Sequence, residues 1–268
     1  MINILKKNDF SLVLSGGGAL GIAHLGVLAD IEKYDLHPSE IIGTSMGGII
    51  GACIAIGMKE NEIYTQIETF SKVHKWIHFS FEGNSIVTHE KIEKIFNAIF
   101  KTKKMSDTII PLKLIATNLT TGKKRVFTKD DDILLKDAVL ATMAIPGIFE
   151  ENIIENESYG DGFLCENLGL SQASYQTILA VDVLGENSFM KALPDNFFKT
   201  ANVLEMFEKS MRLLIYNQTQ NTLKYISKNI YLIEPYTAEY KTFQFSKHQE
   251  LRNLGLNLMK LITKQKND

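Results

Sequence analysis

The chain has 268 residues, 45% of them hydrophobic and 22% charged, which is enough for one sizeable α/β core and short for two independent ones. Its 29 basic and 31 acidic side chains leave a net charge of -2, so no overall field draws it to nucleic acid or to an anionic bilayer. Two cysteines, Cys53 and Cys165, are too few for a disulfide framework, and Lys6, Lys7 and Asp9 interrupt any secretory leader, so a reducing, cytoplasmic setting is expected.

An apolar run over residues 10–14 leads into Ser15-Gly16-Gly17-Gly18-Ala19-Leu20-Gly21, after which Ile22, Leu25, Leu28 and Ala29 recur at helical spacing. This predicts a strand, a tight turn and a helix over 22–33. Residues 41–43 then read as a second strand, Gly43-Thr44-Ser45-Met46-Gly47 as a sharp turn, and 46–57 as a small-residue helix. A serine on such a turn projects its hydroxyl clear of the sheet, and the flanking glycines let backbone pack closely around it. Residues 41–58 carry no charge and include Gly47-x-x-x-Gly51, but the glycines and the polar Thr44-Ser45 turn break the run. A helix packed on the sheet is therefore expected there, not a membrane span.

A helix over 60–72 follows, and the aromatic cluster Trp76, Phe79 and Phe81 is expected in the core. His74 and His78 stand four apart with no matching third ligand, so no metal is expected; His24 is read as a packing residue bonded to backbone, and His37 and His89 as exposed. Residues 111–117 and 125–128 predict a hairpin around Thr121-Gly122, and 153–156 with 158–159 predict short strands delivering Asp161. The apolar run 177–184 reads as a strand buried on both faces, in which Asp182 is either a structural carboxylate or a group that orients a site loop. Asp30 and Asp137 fall on helical patterns and are expected to face solvent. Residues 188–200 have the composition of a mobile flap, 203–223 read as helix, and Leu251, Leu254, Leu258 and Leu261 form one stripe near Lys260, Lys264 and Lys266 that predicts a surface helix docked on the core. Strands alternating with helices predict a three-layer α/β/α sandwich with a mainly parallel central sheet. It is expected as a single domain over 1–268, with its core at about 10–185 and a C-terminal helical part at about 200–268.

Gly16-x-Gly18-x-x-Gly21 also fits a dinucleotide-binding fingerprint, yet no carboxylate stands at the end of the second strand, where a ribose would be read. An α/β-hydrolase elbow lies deeper in its sheet and needs a later acid and then a later histidine. Downstream come Ala138-Val139-Leu140-Ala141-Thr142-Met143-Ala144-Ile145-Pro146-Gly147-Ile148-Phe149 and Ser158-Tyr159-Gly160-Asp161-Gly162. A glycine-rich loop, an early serine elbow, an Ala-x-x-Ala-x-x-x-Ile-Pro-Gly-x-Phe stretch and a later Asp-Gly, in this order, resemble the patatin-like phospholipase family. The likeness runs over nearly the whole chain from about Phe10.

The resemblance implies an acyl-ester hydrolase with Ser45 as nucleophile and Asp161 as the base acting on it directly, without a histidine. It implies an oxyanion-binding loop of Gly16, Gly17 and Gly18, with the N–H groups of Gly17 and Gly18 as donors, and an elbow framed by Gly43 and Gly47. No metal and no organic cofactor are expected. The implied partner is a lipid or acyl ester of the phospholipid or lysophospholipid class, met in the cytoplasm or through peripheral contact with the inner face of a membrane; no nucleic acid is expected, and no oligomeric state is read. Apolar segments near Phe79, Phe163 and Phe189 are the expected acyl channel. Lys101, Lys103 and Lys104, with Lys123, Lys124 and Arg125, read as solvated surface. Leu20, Phe163 and Gly169 depart from the family pattern and motivate an alternative, a lipid-binding or regulatory protein that keeps the fold without turnover.

Overall fold

The computed structural model describes residues 1–74, 89–149, 151–190 and 200–260. After a short N-terminal helix, α1 (Ile2–Leu5), the chain alternates β1 (Phe10–Leu14), α2 (Ala23–Lys33), β2 (Glu40–Thr44) and α3 (Ser45–Ala55). Two helices follow, α4 (Glu60–His74) and α5 (His89–Phe100), then β3 (Leu112–Asn118), β4 (Lys124–Phe127), α6 (Leu135–Met143), β5 (Asn152–Ile154) and β6 (Glu157–Asp161). The chain closes with β7 (Thr177–Val181), α7 (Thr200–Leu223), β8 (Asn229–Ile233) and α8 (His248–Leu254).

The strands form one sheet in the order β5-β6-β3-β2-β1-β7-β8, with β4 also paired to β3. From β3 to β8 the neighbours are parallel, and β4, β5 and β6 join in antiparallel sense, so the sheet is mainly parallel as expected. Its burial follows the two-residue period of a strand. Leu12, Leu14, Ile41, Leu112, Leu114, Leu179, Val181, Tyr231 and Ile233 pack into one core, shared with α2 to α6 and α8. Val13, Ile42, Ile115, Ile178, Ala180, Ile230 and Leu232 face the opposite way, into a smaller core closed by Leu168, Leu170 and Leu223 at the end of α7. Both faces are thus covered, as a parallel sheet requires.

Several local expectations are corrected. The strand expected over 177–184 ends at Val181: the Asp182 N–H still bonds Ile233 O at 2.8 Å, but the Val183 N–H goes to Ser15 Oγ at 3.0 Å and the Leu184 N–H to Asp182 Oδ1 at 3.0 Å. The leucine stripe after 248 is not one helix. It breaks at Gly255, where a Cβ would strike the Ala23 carbonyl of α2, and Asn257 takes φ +61° before a 3-10 turn at Leu258–Lys260. Leu251 is fully buried against the core, so the described part of this segment is docked as expected; Leu261, Lys264 and Lys266 lie outside the described residues. Asp30 is buried rather than solvated, since the same segment covers it and the Met259 N–H donates to its Oδ2 at 3.4 Å. The flap region at 191–199 and the cluster Trp76, Phe79 and Phe81 also lie outside the described residues.

Candidate active site

Ser45 is the first residue of α3 and follows Thr44, the last of β2, with no loop between them. Thr44 is extended, and Ser45 takes φ +54°, a left-handed conformation that costs a residue with a Cβ about 1–3 kcal/mol. Close packing holds it there. A Cβ on Gly43 would lie 2.6 Å from Gly47 O, and one on Gly47 would strike Leu14 O, so the first turn of α3 rests directly on the ends of β1 and β2. The Ser45 N–H donates to Thr142 Oγ1 at 3.0 Å, and Thr142 donates to Ile115 O. Thr142, fully buried on α6, is a part of the elbow that the sequence reading did not single out; its one signal was a lone hydroxyl within an apolar helix.

Asp161 ends β6 on the far side of β3 from Ser45: Thr44 pairs with Ile115 and Asp161 with Ala116. Gly162 is required here because a Cβ would strike Ile115 O. The Asp161 carboxyl is fully buried, and its Oδ1 accepts from the Phe163 N–H at 2.9 Å. Burial pushes its pKa up to about 7, opposed first by the Ser45 hydroxyl and then by the Phe163 N–H. Oδ2 has no well-aligned hydrogen-bond partner among the described residues. Phe163 does not disturb this turn: its N–H holds Asp161 and its carbonyl accepts from Gln218 Nε2 at 3.3 Å.

The glycine loop is held from three sides. The Gly16 N–H donates to Asn167 O at 3.3 Å, and a Cβ there would lie 2.5 Å from Asn167 Oδ1. Gly17 rests on Val183, whose Cγ2 would lie 2.5 Å from an added Cβ. Gly18 takes φ +55° against the Thr242 carbonyl, which accepts from the Ala19 N–H at 2.7 Å. Thr242 is fixed in turn by Glu208 of α7, which accepts from its N–H and its hydroxyl at 2.6 Å each. Among the described residues no hydrogen bond engages the N–H of Gly17 or Gly18. Gly16 thus contributes close packing, its donor being spent on Asn167, while the next two donors are free.

An apolar cavity opens at Ser45 and Gly18. It is walled by Met46, Ile49 and Cys53 of α3, Ile63 and Ile67 of α4, and Ile95, Phe96 and Ile99 of α5, with Met143, Phe149 and Phe245. The expectation placed an acyl channel near Phe79, Phe163 and Phe189. Phe163 and Phe189 are not in the wall of this cavity, Phe189 stacking instead edge-on against Tyr216, and Phe79 lies outside the described residues.

No described histidine side chain lines this cavity. His24 is buried, with burial lowering its pKa to about 4, and its Nε2 donates to Ser15 O at 2.9 Å. His248 Nδ1 pairs with the Tyr64 hydroxyl at 2.9 Å, and His37 is exposed beside Asp35. His78 and the side chains of His74 and His89 lie outside the described residues. Among the described residues no group of three or more metal-ligating side chains occurs, and no helix is long and apolar enough to cross a membrane. Three of the basic side chains are matched by carboxylates: Lys124 with Glu166 at 2.6 Å, Arg125 with Asp131 at 2.5 Å, and Lys104 with Asp132.

The patatin-like phospholipase family model matches residues 12–174, from β1 through the turn after Asp161. The chain belongs to the patatin-like phospholipase family. It is similar to lysophospholipase NTE1 of Scheffersomyces stipitis, at 26% identity over 96% of this chain and 18% of that protein. It is also similar to patatin-like phospholipase domain-containing protein 6 of Mus musculus, at 26% identity over 68% of this chain and 14% of that protein. The chain thus spans less than a fifth of the length of these two relatives. Among solved structures it is similar to VipD from Legionella pneumophila, with 14% identity, coverage of 94% of this chain and 66% of that one, and a TM-score of 0.48. The departures from the family pattern sit quietly in the fold: Leu20 is fully buried, and Gly169 fits a gap where a Cβ would lie 2.5 Å from Ile115 Cδ1.

Proposed function

We propose that this patatin-like protein is a serine lipid acyl hydrolase that works through a Ser45/Asp161 dyad. The observation that carries this reading is the buried Asp161 carboxyl set against the Ser45 hydroxyl, in surroundings that hold its pKa near 7. A carboxylate with its usual pKa is a weak base toward a serine hydroxyl, and burial narrows that gap. Ser45 Oγ attacks the acyl carbonyl while Asp161 takes its proton; the N–H groups of Gly17 and Gly18 receive the oxyanion; collapse expels the alcohol, which takes the proton from Asp161. Water then enters, Asp161 activates it, and the acyl-serine ester is cleaved.

The cavity beside Ser45 suits a single acyl chain, because its wall is apolar and begins at the nucleophile. Relatives named as lysophospholipases favour a monoacyl phospholipid as substrate. Phe245 lines the same cavity and Thr242 braces Gly18, so we read the later part of the chain as one working unit with the first. Release of fatty acid from a long-chain lysophospholipid should rise as the lipid is titrated through its critical micelle concentration. Faster cleavage of acetyl than of longer esters, with no rise on aggregation, would replace this reading with a small-ester hydrolase.

Cys53 stands eight residues beyond Ser45 on α3, about 12 Å along the helix axis, and its thiol is buried in the cavity wall. Cys53→Phe is expected to fill that end of the cavity and lower the ratio of long-chain to short-chain ester hydrolysis by about tenfold, the scale of a lost hydrophobic subsite. Rates across a series of acyl esters measure it, and an unchanged ratio would remove this cavity from acyl binding.

A further inference from the structure

Asp182 is a second fully buried carboxylate, immediately after β7, and the reaction as described makes no use of it. Its surroundings lead to the oxyanion loop. Ser15, the residue before Gly16, is completely buried and engaged at every polar atom: its N–H donates to Val181 O at 3.1 Å, its carbonyl accepts from His24 Nε2, and its Oγ accepts from the Val183 N–H. Its hydroxyl proton remains to be placed, and the Ser15 side chain lies close enough to favour the charged Asp182 carboxylate. The Asp182 Oδ1 accepts from the Leu184 N–H at 3.0 Å, which folds 182–184 into the tight turn on which Gly17 rests. Thr219 of α7 is also near; its hydroxyl favours the charged form, and neither that hydroxyl nor Asp182 Oδ2 has a hydrogen-bond partner among the described residues.

We propose that Asp182 is a positioning residue for the oxyanion loop. Its carboxylate anchors the Ser15 hydroxyl and the 182–184 turn, so that the N–H groups of Gly17 and Gly18 hold their aim only while Asp182 is charged. The charged form accepts from the Leu184 N–H, and its second oxygen is left for the Ser15 and Thr219 hydroxyls to turn toward. Protonation turns one carboxyl oxygen from an acceptor into a donor, so a facing hydroxyl oxygen, that of Ser15 or of Thr219, must accept from it. Where Ser15 Oγ is that acceptor, the new donor competes with the Val183 N–H, and Val183 is the surface under Gly17.

The groups facing Asp182 bear on its titration. Its pKa is raised to about 7, by burial above all and by Glu234 from the segment after β8, against the lowering pull of Leu184, Ser15 and Thr219. His24 approaches Ser15 from α2 and is uncharged at neutral pH. Two carboxyls, Asp161 and Asp182, must then lose protons for full activity. The acid limb of the rate profile should fall more steeply than one proton allows.

This inference rests on the Ser45 and oxyanion-loop reading, which is checked first by activity of the wild type and its loss in Ser45→Ala. With that in hand, Asp182→Asn mimics the protonated group at every pH. Its kcat should drop about ten- to a hundredfold, less than the loss of a whole oxyanion donor, with KM unchanged and an acid limb reduced to one proton. A folded Asp182→Asn with wild-type kcat would overturn the proposal, as would a lower kcat whose limb keeps the wild-type steepness. Thr219→Val gives a second reading should the asparagine variant fail to fold. By removing one donor it should move the acid limb upward by about half a pH unit, and an unmoved limb would equally overturn the role assigned to Asp182.

Discussion

Ser45→Ala is expected to fold as the wild type does and to lose ester hydrolysis by a factor on the order of 10^4 or more, the cost of removing a nucleophile whose partners cannot act without it. The hydroxyl is nearly buried, at 5% exposure, yet the backbone of Ser45 is held independently by Thr142 and by the glycines at 43 and 47. Alanine keeps the Cβ and therefore keeps the strain at φ +54°. Ser45→Gly should be equally inactive and melt above the alanine variant, by about 1 kcal/mol, because glycine accepts the left-handed conformation. Thermal melts and ester assays on the two variants check both statements. An active Ser45→Ala would end the proposed mechanism, and a glycine variant less stable than the alanine one would end the claim of strain.

Asp161→Asn is expected to lose at least about a hundredfold in kcat while His248→Ala stays near the wild-type rate, because His248 is paired to Tyr64 and Asp161 acts on Ser45 directly. The asparagine variant should also be more stable than the wild type at pH 8. Asp161 has a folded-state pKa near 7, raised from 3.8, so between about pH 4 and 7 the native state holds a proton that the unfolded chain has released. Stability therefore falls as pH rises through that window and stays reduced above it, by an amount of a few kcal/mol at most. Asparagine carries no such penalty, and the gap between the two proteins should close toward about pH 4. Denaturant unfolding at both pH values reads it. If His248→Ala proves as damaging as Asp161→Asn with both proteins folded, a triad replaces the dyad.

What could be read before the fold was known was local. The turn at Gly16 to Gly18, the frame of Gly43 and Gly47, and Gly162 after Asp161 each answer a close approach of backbone within one or two turns of chain, and such demands leave glycine in fixed places. The alternation of strands and helices through α4, and the later strands up to β7, were legible for the same reason. The cavity at Ser45 was not, because it is assembled from one face each of α3, α4 and α5 with Phe245 from far along the chain, and no single segment carries its signature. α5 went unread despite its apolar face, and β8 was passed over because five residues of parallel strand look like any short apolar run until β7 is placed beside them. Asp30 misled because a carboxylate on a helical pattern is usually solvated, and only the crossing of Gly26 under Arg252 and Gly255 brings the C-terminal segment down over it. Thr142 and Asp182 escaped assignment for a related reason: each is a single polar group in an apolar stretch, and its role lies in which backbone it braces.

The central claim is that Ser45 is an activated nucleophile. Its most direct test is treatment of the wild-type protein with a fluorophosphonate probe, followed by peptide mapping. A covalent adduct on Ser45, forming in step with the loss of hydrolysis and absent from Asp161→Asn, is the predicted result. A folded protein that stays unlabelled, or that is labelled at another serine while activity persists, would contradict it and leave a lipid-binding protein built on the patatin fold.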